Sequence, residues 1–583
     1  MKEKLFTEWK SIPENVRRDG YLQERLESMK QIAEEYQKSG MKHLSYSIFK
    51  IYYETGSRKE YEHEYFGHRR ILNALAILSI VYEDNDEYIK LLEDVLWGIL
   101  DEFTWALPAH IPAGTPIEGC VKWIDLFAAE TAFSLAEILH MLGDRLDSMV
   151  KERIEYEVRR RTLEPYLKGI KNPKDTLNNR GWDTATNNWA AVCAGSVGAA
   201  FLYLADDDEI KTALPKLKST MSCYLDGFGD DGACVEGINY WIYGFGYFTF
   251  FAQLLYQYTD GKENYFDNEK VKKIALFQQK MRLKNNRTVT FSDCVDGFKH
   301  RRGLSHFLAD KYDGMIIPDD GCATKVENDS CHRFAQAIRD FAWRTSKTVS
   351  EDADSDTFDY FENAAWYIKK TGLYEFAAKA GNNNESHNHN DIGSFLMNVQ
   401  GESIITDPGR GEYTAEYFGS GRYNYFAPSA LAHSIPIING ELQKDGAEHT
   451  GEIIQADNES LVIDFEKSFD NANLKKLRRK FIFRENGILL SDEFKFDTAP
   501  EGVTEHFIVS KKPSVYNDAI IIGNTLMKYN ENALECKISE KTYSSGYNQN
   551  KTVYIIDLAV IKPQPDILAE IEFVCKDGEK NHE

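Results

Sequence analysis

The sequence predicts a multidomain α+β protein: a helical toroid or solenoid followed by a large antiparallel β-sandwich. Three observations carry that prediction. The chain has 583 residues, more than one hydrophobic core fills, so two or more domains are expected. Up to about residue 345, apolar residues recur at three- and four-residue spacing, the helical period. After about Ser350, short β-rich runs take over. The division expected is residues 1–350 and 351–583.

The helical stretches run from Ile71 to Tyr82, Tyr88 to Phe103, Val121 to Leu142, Met149 to Tyr166, Trp189 to Leu204, Ile210 to Tyr224 and Tyr240 to Tyr258. Short polar connectors such as Ala205-Asp206-Asp207-Asp208 separate them. Recurring helix pairs without a strict sequence repeat point to a toroid or solenoid. Lys347 to Asp356 is polar and acidic and reads as a linker. The β-rich runs are Ala365 to Lys370, Ile392 to Val399, Ser403 to Thr406, Leu461 to Phe465, Phe481 to Phe483, Ile488 to Leu490 and Val553 to Ile561. Glu485-Asn486-Gly487 between two of them is a hairpin signal.

Composition excludes several classes. A net charge of −23 argues against a nucleic-acid partner, although a local arginine cluster can still bind an anion. Nine cysteines without a CxxC pair read as reduced thiols. The first ten residues lack an apolar signal core, so a cytoplasmic location is expected, with secretion or the periplasm open if a leader was removed. No run of about 18 apolar residues predicts a membrane span. Self-association is left open.

The chemistry concentrates in Ser386-His387-Asn388-His389-Asn390-Asp391, followed by Asp407-Pro408-Gly409 and His433. On a strand, residues two apart face the same way, so His387 and His389 are expected on one side. A downstream carboxylate and a third imidazole complete a possible His/His/Asp metal set, whose mixed nitrogen and oxygen donors suit Zn²⁺. Asp391 can orient an imidazole or simply form a turn.

These motifs resemble those of the heparinase II/III-like polysaccharide lyases. The residues that carry the resemblance are Asn187-Asn188-Trp189 with Val192-Cys193, Glu236-Gly237 with Tyr240-Trp241 and Tyr243-Gly244, the Ser386 to Asp391 stretch with Gly393-Ser394-Phe395, Asp407-Pro408-Gly409, and His433 before Pro436 and Asn439-Gly440. The resemblance implies an N-terminal (α/α) toroid, an incomplete barrel, ahead of the sandwich. It also implies β-elimination at a uronic acid within an anionic oligosaccharide or polysaccharide, such as a glycosaminoglycan or an alginate-like chain. Asn187 or Asn188 would neutralise the uronate carboxylate, unless either merely caps a helix. Tyr240 or Tyr243 would be the catalytic tyrosine, its phenol lowered by nearby positive charge. His387 would be the catalytic histidine. His389, Asp407 and His433 would hold zinc in a mainly structural role. Arg410, Arg422, Trp189 and Glu236 would contact substrate.

Arg301-Arg302 beside His300 can grip an anion or lie on the surface. Of Trp123, Trp182 and Trp189, one is expected exposed as a sugar-stacking wall. The basic run Lys475 to Lys480 reads as a solvated strand face. Two competing functions predict different products. A metal-dependent glycan hydrolase would lose activity on chelation and form no double bond. A glycan-binding protein would bind without turnover.

Overall fold

The computed structural model describes residues 2–169, 181–297, 299–325, 328–345, 347, 356–516, 519–545 and 549–576. The chain divides into two compact units. The first comprises Met1–Phe228, Trp241–Ala275 and Lys299–Glu351; the second comprises Gly229–Tyr240, Leu276–Phe298 and Asp352–Glu583. Most of the linker read at Lys347 to Asp356 lies outside the described residues.

In the first unit the periodic stretches form the helices Lys59–Val81, Asp86–Leu100, Leu126–Leu142, Ser148–Val158, Asn188–Leu204 and Asp207–Asp226. Helix Leu126–Leu142 starts later than its apolar pattern because Asp125 caps it, accepting from Ala128 N at 2.7 Å. The stretch from Met149 is interrupted by a π-turn at Arg159–Leu163, just ahead of Pro165, whose ring nitrogen has no hydrogen to donate. Neighbouring helices pack in pairs, among them Leu126–Leu142 on Asn188–Leu204 and Lys59–Val81 on Asp86–Leu100. The small residues of Asn188–Leu204 permit close approach: a Cβ on Gly198 would lie 2.4 Å from the Phe251 ring. Ion pairs hold the interior. Arg339 and Glu137 are both buried, 2.8 Å apart, and Tyr203 donates to the same carboxylate at 2.9 Å.

Arg301 and Arg302 are neither surface charges nor an anion grip. Both are buried in this unit, Arg301 against Asp329 at 2.5 Å and Arg302 against Asp19 at 2.7 Å. Trp182 is fully buried with its indole nitrogen on Ile124 O at 2.9 Å, whereas Trp123 and Trp189 are both partly exposed. So two of the three tryptophans reach the surface, not one.

In the second unit the described strands form two antiparallel sheets of nine strands each and a separate two-stranded pair, Arg282–Leu283 with Arg287–Thr288. One sheet runs from Ser514–Tyr516 through Asp566–Cys575, Gly487–Phe496 and Leu474–Arg484 to Gly446–Ala456 and Gly381–Asn383. The other runs from Leu534–Ser545 through Gln549–Val560, Val503–Val509, Glu402–Ile405 and Phe395–Val399 to Thr357–Phe361. The expected hairpin is present, with Arg484 paired to Gly487 across the turn. Alternating apolar side chains from both sheets make one core. Phe395 sits at its centre, edge-on to Phe481 at 5.0 Å and to Phe573 at 6.0 Å.

The basic strand is not simply a solvated face. Lys475 and Lys480 are exposed, but Arg479 is fully buried between Asp492 and Glu505. Its Nη1 donates to the backbone oxygens of Gly393 (2.8 Å) and Ser434 (2.7 Å). Those residues follow the His387–Asp391 segment and His433, so a buried cation props two site-bearing loops from behind. All nine cysteines are free thiols. Among the described residues no helix is long and apolar enough to cross a membrane.

Candidate active site and metal centre

The segment holding His387 and His389 is a loop between strands Gly381–Asn383 and Phe395–Val399, not a strand. His387 itself sits in the left-handed region at φ 57°. The loop conformation turns the two imidazoles onto opposite oxygens of one carboxylate, which strand geometry would not do. That carboxylate is Asp293. His387 Nδ1 lies 2.7 Å from Asp293 Oδ2, and His389 Nε2 lies 3.1 Å from Oδ1. Tyr417 donates its hydroxyl to Oδ1 at 2.7 Å, and Arg422 Nη2 donates to Oδ2 at 3.0 Å. Burial would push the Asp293 carboxyl up, but Arg422 and the two imidazoles hold it well below the ordinary carboxylate range. An ionised carboxylate only accepts hydrogen bonds. His387 therefore carries its proton on Nδ1 and His389 on Nε2.

The other ring nitrogen, His387 Nε2, lies 3.6 Å from Glu236 Oε1. Tyr240 stacks on the His387 ring, centroids 4.0 Å apart and planes 24° apart. Its hydroxyl shares a 2.6 Å hydrogen bond with the hydroxyl of Tyr413, whose ring lies under the Arg410 guanidinium at 4.7 Å. Burial, reinforced by Asp293, raises the Tyr240 phenol above its ordinary value, and Tyr413 and Arg410 only partly oppose this. The expected lowering by positive charge is reversed: burial first, and the Asp293 carboxylate after it, outweigh Tyr413 and the arginine.

Tyr243, three residues on, does different work. It is buried in the first unit and donates to Glu130, which also accepts from Tyr247 at 2.7 Å, while Arg333 lies over its ring at 4.0 Å. A phenol enclosed in this way braces the helical unit and does not face substrate, so Tyr243 is corrected from a catalytic to a structural position. Arg422 is corrected as well. Buried, with its donors on Asp293, on Asn388 O (3.0 Å) and on Tyr417 O (3.4 Å), it holds the loop and does not reach a ligand. Asp391 pairs with buried Lys379 at 2.8 Å, not with an imidazole. Glu236 is buried beside His387.

The asparagine doublet resolves into two uses. Asn187 is the N-cap of helix Asn188–Leu204, its side-chain oxygen accepting from Trp189 N at 3.2 Å. Asn188 is buried, and its Cβ comes so near Gly244 that a methyl there would stand 3.1 Å away. Trp189 meets His110 edge-on at 5.0 Å, and His110 is backed by buried Asp125 at 2.7 Å. Asn187, Asn188, Trp189 and Tyr243 belong to the first unit; Tyr240, Glu236, Asp293, His387, His389, Asp407, Arg410, Arg422 and His433 belong to the second.

His389, Asp407 and His433 come together as expected. Each offers one ligand atom, and the three atoms lie within 4.8 Å of one another. All three side chains are buried. His433 Nδ1 lies 3.2 Å from Asp407 Oδ2, and His389 Nδ1 has no hydrogen-bond partner among the described residues. Their other polar atoms are engaged: His389 Nε2 on Asp293, His433 Nε2 on Ala427 O at 3.1 Å, and Asp407 Oδ1 on Gly409 N at 2.8 Å. Three buried ligand atoms whose side chains are backed by carboxylate, carbonyl and amide partners could hold a metal ion with its outer contacts in place. Two imidazoles and a carboxylate fit zinc.

Asp293, Tyr413 and Tyr417 escaped the sequence reading. The aromatic density from Tyr413 to Phe426 was a usable signal for the tyrosines. Asp293, in Phe291-Ser292-Asp293-Cys294, carries no spacing or motif that marks it.

Paired helices in one unit and two stacked antiparallel sheets in the other place the chain among proteins built from an (α/α) toroid and a β-sandwich. Residues 353–509 match the family model described as Heparinase II/III-like, C-terminal, so the chain carries a heparinase II/III-like C-terminal domain. Among solved structures it is similar to heparinase III, with TM-score 0.62 and 14% identity over 93% of this chain and 81% of that one. It is also similar to heparan sulfate lyase HepC from Pedobacter heparinus, with TM-score 0.58 and 15% identity over 90% and 77%. A third is the Streptomyces coelicolor A3 chondroitin AC lyase in complex with chondroitin sulphate, with TM-score 0.59 and 11% identity over 98% and 82%. No curated protein sequence matches the chain.

Proposed function

We propose that the chain is a polysaccharide lyase that cleaves a uronate-containing glycan by β-elimination, giving an unsaturated uronate product. The observation that carries this reading is the stacked Tyr240–His387 pair, two proton carriers side by side with ring centroids 4.0 Å apart. Holding Asp293 through Nδ1, His387 takes the proton from C5 of the uronate on Nε2. The C4–O4 bond breaks as the C4–C5 double bond forms, and Tyr240, which keeps its proton because its phenol is raised, delivers it to O4. Tyr413 then donates to the phenolate left on Tyr240, close to Arg410. Asn188 is assigned to the uronate carboxylate, where an amide donor would stabilise the enolate-like charge. Trp189 and Arg410, both partly exposed, are assigned to substrate contact.

Zinc would be held by His389, Asp407 and His433, where it would join the His387–His389 loop to the segments bearing the other two ligands. The cluster is closed, with His389 and His433 at 0% and Asp407 at 4% exposure. A hydrolytic zinc needs a coordination position open to substrate, so this burial disfavours the metal-dependent hydrolase. Heparan sulfate and chondroitin sulphate, named with the similar structures, are the first substrates to test.

The test is ultraviolet absorbance of the unsaturated uronate over heparan, chondroitin, hyaluronan and alginate chains and their oligosaccharides. A rise with one substrate, lost in Tyr240→Phe and in His387→Ala, is the expected result. New reducing ends without absorbance, abolished by chelator, would instead establish the hydrolase.

A further inference from the structure

Asp293 bonds to both halves of the His387-Asn388-His389 segment. Each of its oxygens receives two donors: His389 Nε2 and Tyr417 on Oδ1, His387 Nδ1 and Arg422 on Oδ2. Four donors match the lone-pair capacity of a carboxylate, so its plane cannot turn without breaking one of them. Arg422 adds a second tie, because its Nε donates to the backbone oxygen of Asn388, between the two histidines. The buried carboxylate thus has on one oxygen the imidazole of the His389–Asp407–His433 cluster and on the other the imidazole proposed as the base.

We infer that Asp293 is a positioning residue that couples occupancy of the metal centre to the orientation of His387. His389, when its Nδ1 holds a cation, would donate its Nε2–H more strongly to Asp293 and so fix the carboxylate plane. That plane in turn selects the Nδ1–H form of His387 and presents its Nε2. The catalytic half of this inference rests on the lyase reading; the metal and tautomer half does not.

The deciding variant is Asp293→Asn, which keeps the shape but replaces one accepting oxygen by an NH₂ group. Three readouts follow the full chain: zinc affinity by competition with a chromophoric chelator, the ¹⁵N shifts of the His387 imidazole in histidine-labelled protein, and kcat with KM at saturating zinc. The His387 signal is assigned by its loss in His387→Ala. The expected result is zinc affinity weakened about ten- to a hundredfold, with the His387 signal leaving its Nδ1–H position. Removing zinc from the wild type should move that signal in the same direction. At saturating zinc, kcat should fall at least roughly a hundredfold with KM nearly unchanged, while His387→Ala should shift zinc affinity less than Asp293→Asn does, because it leaves the Asp293–His389 hydrogen bond in place. Unchanged zinc affinity in Asp293→Asn, or a His387 signal indifferent to zinc in the wild type, overturns the coupling. Absence of elimination in the wild type on every substrate would sink the lyase reading and leave both spectroscopic outcomes decisive. If Asp293→Asn does not fold, His389→Ala carries the same test, and an unshifted His387 signal there overturns the inference.

Discussion

Replacing Tyr240 by phenylalanine deletes the oxygen that Tyr413 holds at 2.6 Å and leaves the ring stacked on His387. Elimination should fall by about a hundredfold or more, with the melting temperature nearly unchanged. Tyr243→Phe should give the opposite pattern. Its hydroxyl is one of two phenols on Glu130, a carboxyl that burial pushes up. Losing that donor should lower stability by about 1–3 kcal/mol, with turnover little affected. Paired thermal melts and initial rates on both variants check this. Asn187→Ala and Asn188→Ala separate in the same way. Removing the helix cap should cost about 1 kcal/mol, whereas removing the buried amide should lower kcat by roughly 10²–10³-fold. The two tyrosines share a helix face in the sequence pattern, so periodicity could not choose between them. Only their partners, hundreds of residues away in sequence, distinguish them. The same holds for Asp293, an unremarkable aspartate until both histidines are seen to reach it. The His389–Asp407–His433 cluster was legible because three polar side chains stood out from apolar surroundings.

The loop between Gly381–Asn383 and Phe395–Val399 shows how an element can be placed correctly and shaped wrongly. Its flanking strands follow from their apolar runs, and the hairpin at Gly487 follows from its turn residues. The left-handed His387 does not, because a Ser-His-Asn-His-Asn stretch has no period of its own. The support beneath this loop was hidden too: in Leu474–Arg484 the alternation that exposes Lys480 buries Arg479. Arg479→Leu would leave Asp492, Glu505 and the oxygens of Gly393 and Ser434 around an apolar chain. A loss of about 3–5 kcal/mol is expected, read as an earlier unfolding transition. Glu385, in the same loop, is pushed up to about 7 by burial, with Lys379 opposing and Asp391 adding to the rise. A carboxyl whose folded value lies above its unfolded one binds more protons folded than unfolded, so it favours the fold at low pH. That contribution is lost as pH rises from about 4.5 to 7. Glu385→Gln should flatten this slope, gaining on the order of 1–3 kcal/mol at pH 8. Melting curves across pH 4.5–8 would show it, and an unaltered slope would refute the assignment.

At the scale of the chain, stripping metal with a strong chelator should lower the melting temperature. Re-adding zinc, but not magnesium, should restore it, since two imidazoles and a carboxylate suit the borderline ion better than the hard one. The two-part architecture was readable because helical and strand periods occupy different stretches of sequence. What could not be read is that Gly229–Tyr240 and Leu276–Phe298, embedded in the helical stretch, fold with the sheets. These two insertions bring Glu236, Tyr240 and Asp293. The consequence concerns heredity and engineering more than chemistry. A gene fragment beginning at the apparent boundary would encode most of the sandwich yet lack the tyrosine and the carboxylate that complete its histidine loop. The sheets cannot be shuffled onto a new partner as a self-sufficient module. A recombination event, or a designer, that swaps helical halves swaps part of the reaction centre with them.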